Sequence, residues 1–180
     1  MTARRRLLGA LVALVAVAPP ALAGAAAPVP TGTARLQGTF LLQGTVTTAV
    51  DVSGEHRGQI VMRHWTFTPG CASGQCPTET LTRPRAGGTD TLVLHRHAPG
   101  YYIGYSNFFR SVRCGARLYR PGERIPFRIT VRITQALVSG GEVVASRINA
   151  SYRNQVRYNL TPCVAYFGHD AASYHGHIVP

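Results

Sequence analysis

Hydrophobic and polar residues alternate strictly over residues 127–134, where Phe, Ile, Val and Ile are separated by arginine and threonine. A period of two places successive side chains on opposite faces of a strand, so this segment predicts an antiparallel strand with one buried face. Residues 139–142 (Ser-Gly-Gly-Glu) predict a tight hairpin turn. A long partner strand follows, in which Ile148, Ala150 and Tyr152 alternate with Arg, Asn and Ser.

Weaker strand signals recur along the chain, separated by turn residues such as Asp51, Gly54 and Pro99-Gly100. No convincing helical period holds beyond the N-terminal segment, and no internal repeat is present. The chain is therefore predicted to be all-β: an antiparallel β-sandwich or a closed β-barrel of about eight or nine strands. The other predicted strands cover residues 38–50, 59–68, 79–83, 91–97, 101–109, 110–119 and 164–167.

The N-terminus has the pattern of an export signal. Arg4-Arg5-Arg6 precedes an apolar stretch at 7–18, and Ala21-Leu22-Ala23 fits a cleavage site. The stretch is shorter than the roughly 20 residues that a spanning helix needs. We therefore predict a signal peptide over 1–23, a secreted protein and no transmembrane span in the mature chain. The arginines leave Sec and twin-arginine export both open.

The mature chain is predicted to hold one domain. Residues 24–36 are rich in Ala, Pro, Gly and Thr without an apolar period, which predicts a flexible leader. A single β domain is expected over 37–168, followed by a histidine-containing tail over 169–180.

Four cysteines in an exported chain predict two disulfides, for which three pairings are possible. We favour Cys71–Cys76 and Cys114–Cys163, because the first two are close in sequence and Gly74 between them allows a turn. A zinc site formed by all four thiolates is the alternative. Zinc ligands usually come as two close pairs, whereas Cys114 and Cys163 are far apart in sequence.

Charge indicates anionic partners. The formal net charge is +12, all basic residues are arginine, and the chain has seven acidic residues. Arg128 and Arg132 share the polar face of their strand, with Arg147 or Arg153 opposite, so these four form a candidate basic face for a polymer bearing phosphate or carboxylate. An anionic envelope polymer or another secreted protein is the expected partner, and no specific nucleic acid is predicted.

The histidines are the candidate metal ligands. His95 and His97 share one face of a strand, and His169, His175 and His177 lie in the predicted tail. No nucleophile elbow, P-loop or dinucleotide fingerprint is present, and most carboxylates fall near predicted turns. We therefore expect no cofactor and favour a protein that is not an enzyme.

The stretch from Trp65 to Cys76 has the pattern W-x-F-x-P-x-C-x4-C. With the later single cysteines, it resembles small exported actinobacterial β-proteins over residues 38–163. The resemblance implies a secreted, all-β, disulfide-bearing protein and carries over no functional residue. Our first hypothesis is a non-enzymatic binding or interaction module that contacts anionic cell-envelope components. The alternatives are a small-ligand carrier, if the strands close into a barrel with a cavity, and a metal-dependent secreted enzyme that uses the histidines.

Overall fold

The computed structural model describes residues 29–85, 88–154, 156–163 and 168–180. The predicted signal peptide, leader residues 24–28 and the predicted strand 164–167 lie outside these residues. Within them the chain forms one short 3-10 turn and nine strands, which confirms the all-β prediction. The elements are η1 (Thr31–Thr33), β1 (Gly38–Val50), β2 (Ile60–Pro69), β3 (Thr78–Arg85), β4 (Gly88–Ala98), β5 (Tyr101–Cys114), β6 (Arg117–Ser139), β7 (Glu142–Arg153), β8 (Tyr158–Asn159) and β9 (His169–Val179).

Eight of the strands close into an antiparallel barrel. Each of β1 to β6 pairs with the next strand along the chain, and β9 pairs with both β7 and β1. The short β8 pairs with β6 as an additional strand. Of the two predicted architectures, the closed barrel is the correct one. No helix in the described part of the chain is long and apolar enough to cross a membrane.

The barrel interior is built from the alternating residues that the pattern predicted. Phe127, Ile129, Val131 and Ile133 of β6 are all buried, and their arginine and threonine neighbours face outward or lie near the surface. Large side chains from the other strands meet them inside the barrel. These include Phe40, Leu42, Trp65, Phe67, Leu81, Leu92, Leu94, Tyr102 and Ile148.

The predicted C-terminal tail is wrong, because residues 169–179 form β9 in the wall of the barrel. Its inward positions are Asp170, Ala172, Tyr174 and Gly176, of which only Tyr174 is large. A Cβ atom added at Gly176 would lie 2.9 Å from the side chain of Leu42, so a larger residue does not fit there. Small inward residues give no strong hydrophobic period, which explains why the sequence concealed this strand.

The leader is also ordered where it is described. Ala34 and Leu36 have no exposed surface and belong to the hydrophobic core. Arg35 between them bonds through its backbone to Val143 and Ala145 of β7. Residues 31–36 therefore cover the end of the barrel formed by the β2–β3, β4–β5 and β6–β7 connections, which we call the closed end. Burial of two alternating apolar residues is enough to fix this short segment.

Both favoured disulfides are present, as predicted. Cys71–Cys76 closes a short loop between β2 and β3 at the closed end, and the hydroxyl of Tyr102 donates a hydrogen bond of 3.2 Å to the Cys76 carbonyl. Cys114–Cys163 lies beyond the opposite end, where it ties the tip of the long β5–β6 hairpin to the segment after β8. All four cysteines are thus oxidised and offer no thiolate to a metal.

Candidate ligand-binding cavity

The end of the barrel opposite the closed end holds a cavity of about 800 Å³. We call this end the mouth. The lining of the cavity is mixed and includes the aromatic residues Trp65, Phe108, Tyr152 and Tyr174 and the small residue Ala172. The β1–β2 loop, the β3–β4 hairpin and the β5–β6 hairpin surround the opening.

Two arginines of β3 are held by one carboxylate at the rim. Arg83 lies directly opposite Asp90 and donates two hydrogen bonds to it, of 2.7 and 2.9 Å, while Arg85 donates a third of 3.2 Å. The guanidinium of Arg83 also lies 4.3 Å from the ring centroid of Phe127. These contacts immobilise Arg83 in a bidentate, stacked arrangement.

A buried ion network lies beside the cavity. Arg157 contacts Asp170 at 2.5 Å and Glu123 at 3.4 Å, and its side chain is only 5% exposed. The amide of Asn154 donates hydrogen bonds to Asp170 and to the hydroxyl of Tyr152. Each buried charge therefore has a partner, which is the condition under which such charges are tolerated.

Two further arginines line the cavity without a carboxylate bonded to them among the described residues. Arg63 of β2 donates to the carbonyl of Met62, and Arg110 of β5 lies on the opposite side of the opening. Among the described residues, five arginines and three carboxylates line the cavity, which gives this lining a net formal charge of +2. An electropositive, partly enclosed cavity attracts anions.

Glu55 on the β1–β2 loop is the third of these carboxylates. Burial raises the pKa of its carboxyl above the ordinary value, and the charge of Asp170 raises it further, while Arg157, Arg63 and Arg110 oppose the shift. Glu55, Asp170 and these three arginines all line the same cavity.

The two tyrosines of the cavity are neutral hydrogen-bonding groups. Burial, followed by the charge of Asp170, raises the pKa of Tyr152 to about 12. Burial likewise raises the pKa of Tyr174. Both hydroxyls therefore keep their protons at neutral pH, so they can orient a ligand but cannot act as bases.

The predicted basic face lies on the outer wall of the barrel, away from the cavity. Arg128 of β6 is directly opposite Arg153 of β7, whereas Arg132 is opposite Asn149 and Arg147 is opposite Gln135. All four arginines are exposed. We call Arg128, Arg132, Arg147 and Arg153 the arginine face.

The histidines do not converge. His95 and His97 lie on the outside of β4, and His169, His175 and His177 lie on the outside of β9. Three strands, β3, β2 and β1, separate these two groups in the barrel wall. The described residues contain no group of three or more His, Cys, Asp or Glu side chains that could hold a metal ion.

Comparisons with protein-family models, with curated proteins and with solved structures found no match to this chain. A fold alone does not define a function, so the proposals below rest on the chemistry of the two sites. Sequence reasoning missed the cavity residues. One signal was available, because Arg63 shares a strand face with Trp65 and Phe67 and is therefore a polar residue at an inward position.

Proposed function

We propose that this protein binds a small acidic ligand in the mouth of its barrel and acts outside the cytoplasm. The ligand's apolar body would lie against Trp65, Phe108 and Tyr174, and its acid group would face Arg63 and Arg110. One observation supports this proposal above all. Aromatic side chains and two arginines that bond to no carboxylate of the described residues line the same cavity.

The size and charge of the cavity support this function. Small-molecule sites usually measure roughly 300–1,000 Å³ and combine apolar walls with a few polar groups, and the mouth holds about 800 Å³. Its positive charge favours a carboxylate or phosphate over a neutral or cationic group. The two disulfides are typical of an oxidising compartment and support export, as does the predicted signal peptide.

Trp65 offers a built-in test, because it is the only tryptophan and it lines the cavity. The experiment titrates the mature protein with a panel of aromatic and aliphatic carboxylic acids and with the corresponding neutral amides, and records indole fluorescence. We expect saturable changes for acids and weaker binding for their amides. Equal binding of each acid and its amide would contradict the proposed role of the arginines.

Variants separate the two parts of the site. R63Q/R110Q should weaken binding of the acid and leave binding of the amide nearly unchanged. A172F should fill the cavity and abolish both. The matched control is R128Q/R153Q, which removes the same charge from the outer wall and should leave both affinities unchanged. If the control weakens acid binding as much as R63Q/R110Q, net charge and not the cavity is responsible.

A further inference from the structure

The acidic residues of the barrel wall lie on its inside, whereas arginines lie on both its inside and its outside. Four of the seven acidic residues point inward from their strands: Glu79, Asp90, Glu123 and Asp170. The other three lie in the β1–β2 connection or at the β6–β7 turn: Asp51, Glu55 and Glu142. In the described part of the chain, the outward positions along the wall therefore include arginines and histidines but no carboxylate.

Four of the outward arginines lie together on the arginine face. Arg128 and Arg153 are directly opposite each other on β6 and β7, an arrangement of like charges that ordinarily destabilises a sheet. Within the described chain, no carboxylate lies close enough to pair with any of the four arginines. From strand geometry, the face is a strip about 20 Å long and one or two strands wide. This shape suits a linear polyanion.

The surface between the arginines is polar. Thr130 and Ser151 share a hydrogen bond of 2.7 Å between the row of Arg128 and the row of Arg132. In the next row, His175 and Asn149 are joined at 2.8 Å. Hydroxyl and amide groups of this kind match the hydroxyls of a sugar chain. A face that binds a bilayer would instead present apolar anchors beside its basic residues.

Tyrosines border the strip on the β5 side. Tyr105 lies opposite Arg128 and is 71% exposed, and the guanidinium of Arg132 lies 4.6 Å from the ring centroid of Tyr101. An exposed phenol ring offers an apolar surface with a polar edge, which suits stacking against a sugar ring. The cation–π contact holds Arg132 in place beside that surface.

We propose that the arginine face binds the chain of an anionic polysaccharide, with the arginines on its acid groups and Tyr105 on a sugar ring. This interaction is separate from ligand binding in the cavity, because the four arginines face away from the barrel interior. The two sites can therefore be occupied at the same time.

The test measures binding of the mature protein to immobilised alginate, a polymer of uronic acids, at increasing salt concentration. We expect affinity to fall steadily with salt, and R128Q/R153Q to lower it about tenfold or more at low salt. The matched control, R57Q/R117Q, removes two exposed arginines outside the arginine face, one from the β1–β2 connection and one from the first position of β6, and should change affinity far less. If the control loses as much affinity as R128Q/R153Q, the loss follows from the lower net charge of the protein, and the proposal is wrong.

Two further measurements test whether the arginine face binds a polysaccharide and not another polyanion or a membrane. Y105S should weaken alginate binding without changing its salt dependence, and neutral dextran should not bind. The proposal fails if Y105S has no effect and inorganic polyphosphate binds as tightly as alginate. It also fails if vesicles of phosphatidylcholine and phosphatidylglycerol capture the protein while alginate does not.

The melting temperature of R128Q/R153Q shows whether these arginines also contribute to stability. Because R128Q/R153Q removes opposed like charges, its melting temperature should equal or exceed that of the wild type even though binding falls. A lower melting temperature would indicate that the arginines serve the fold, and the binding proposal would then be wrong.

Discussion

The rings of Trp65 and Tyr174 lie with their centroids 5.2 Å apart, although β1 runs between the strands that carry them. Gly44 of β1 makes this contact possible, since it lies opposite Tyr174 in the register and has no side chain. A Cβ atom added there would lie 2.3 Å from the Tyr174 ring. The inner wall of the cavity therefore depends on one glycine.

G44A should destabilise the protein by about 1–3 kcal/mol, the usual cost of forcing an extra group into a packed site. Urea unfolding of G44A, Y174A and the double variant would measure this effect. We expect strong coupling, because truncation of Tyr174 removes the atoms with which the new methyl group collides. Additive effects would mean that the clash is relieved elsewhere.

Glu79 should make stability depend on pH. It is fully buried at the closed end, and its carboxyl oxygens have no hydrogen-bond partner among the described residues. Burial raises its pKa to about 8, while Arg35 opposes the shift. Between its ordinary pKa of 4.5 and about 8, the folded protein keeps a proton that the unfolded chain has lost. Stability should therefore fall as pH rises through this range and level off above it.

E79Q removes this titration. Relative to the variant, the wild type should lose a few kcal/mol of unfolding free energy between about pH 5 and pH 8, since each unit of pKa shift corresponds to about 1.4 kcal/mol. Urea unfolding at a series of pH values tests this expectation. Parallel curves for the two proteins would show that Glu79 titrates normally.

Loss of Arg157 should be costly, because it leaves Glu123 and Asp170 buried without their counter-ion. We expect R157M to destabilise the protein by about 3–5 kcal/mol. The triple variant R157M/E123Q/D170N should recover much of this loss, since it removes the uncompensated charges as well. A triple variant no more stable than R157M would assign the loss to packing and not to charge.

The two disulfides should contribute unequally. The Cys114–Cys163 bridge has a sequence separation of 49 residues and that of Cys71–Cys76 is 5 residues. On the chain-entropy model these bridges stabilise by roughly 4 and 2 kcal/mol. Unfolding of C114S/C163S and C71S/C76S measures the difference. If the short bridge contributes more, the contacts that it holds with Arg35 and Tyr102 outweigh chain entropy.

Leu36 tests the packing of the leader at the closed end. Its side chain is completely buried, so L36A should cost about 2–5 kcal/mol. T33A changes an exposed leader residue nearby and should cost far less. Similar small effects would indicate that the leader adds little to the stability of the barrel.

Sequence periodicity predicted strands where the inward residues are large and failed where they are small. The run from Phe127 to Ile133 fills the barrel interior, so its alternation is unmistakable. In β9 the inward positions include Ala172 and Gly176, whose size is set by neighbours such as Leu42 on another strand. That requirement is visible only when β9 and β1 are placed side by side.

The two candidate sites also differ in how far they could be predicted from the sequence. The arginine face could be predicted because Arg128 and Arg132 are local neighbours on one strand, and the pairing with Arg153 follows from a single hairpin. The cavity combines residues such as Arg63, Arg110 and Asp170 from strands that meet only when the barrel closes. An inward arginine marks such a position, but its partners depend on the tertiary structure.

Pairing of β1 with β9, in which Phe40 lies opposite Ile178, also has a consequence for folding. The ring of backbone hydrogen bonds is completed by two segments that are far apart in sequence, and such contacts are slow to form. Until they form, β1 and β7 expose unpaired backbone edges that can pair with another molecule. We therefore expect refolding yield to fall with protein concentration, so the newly made chain would need dilution or a chaperone until its last strand is in place.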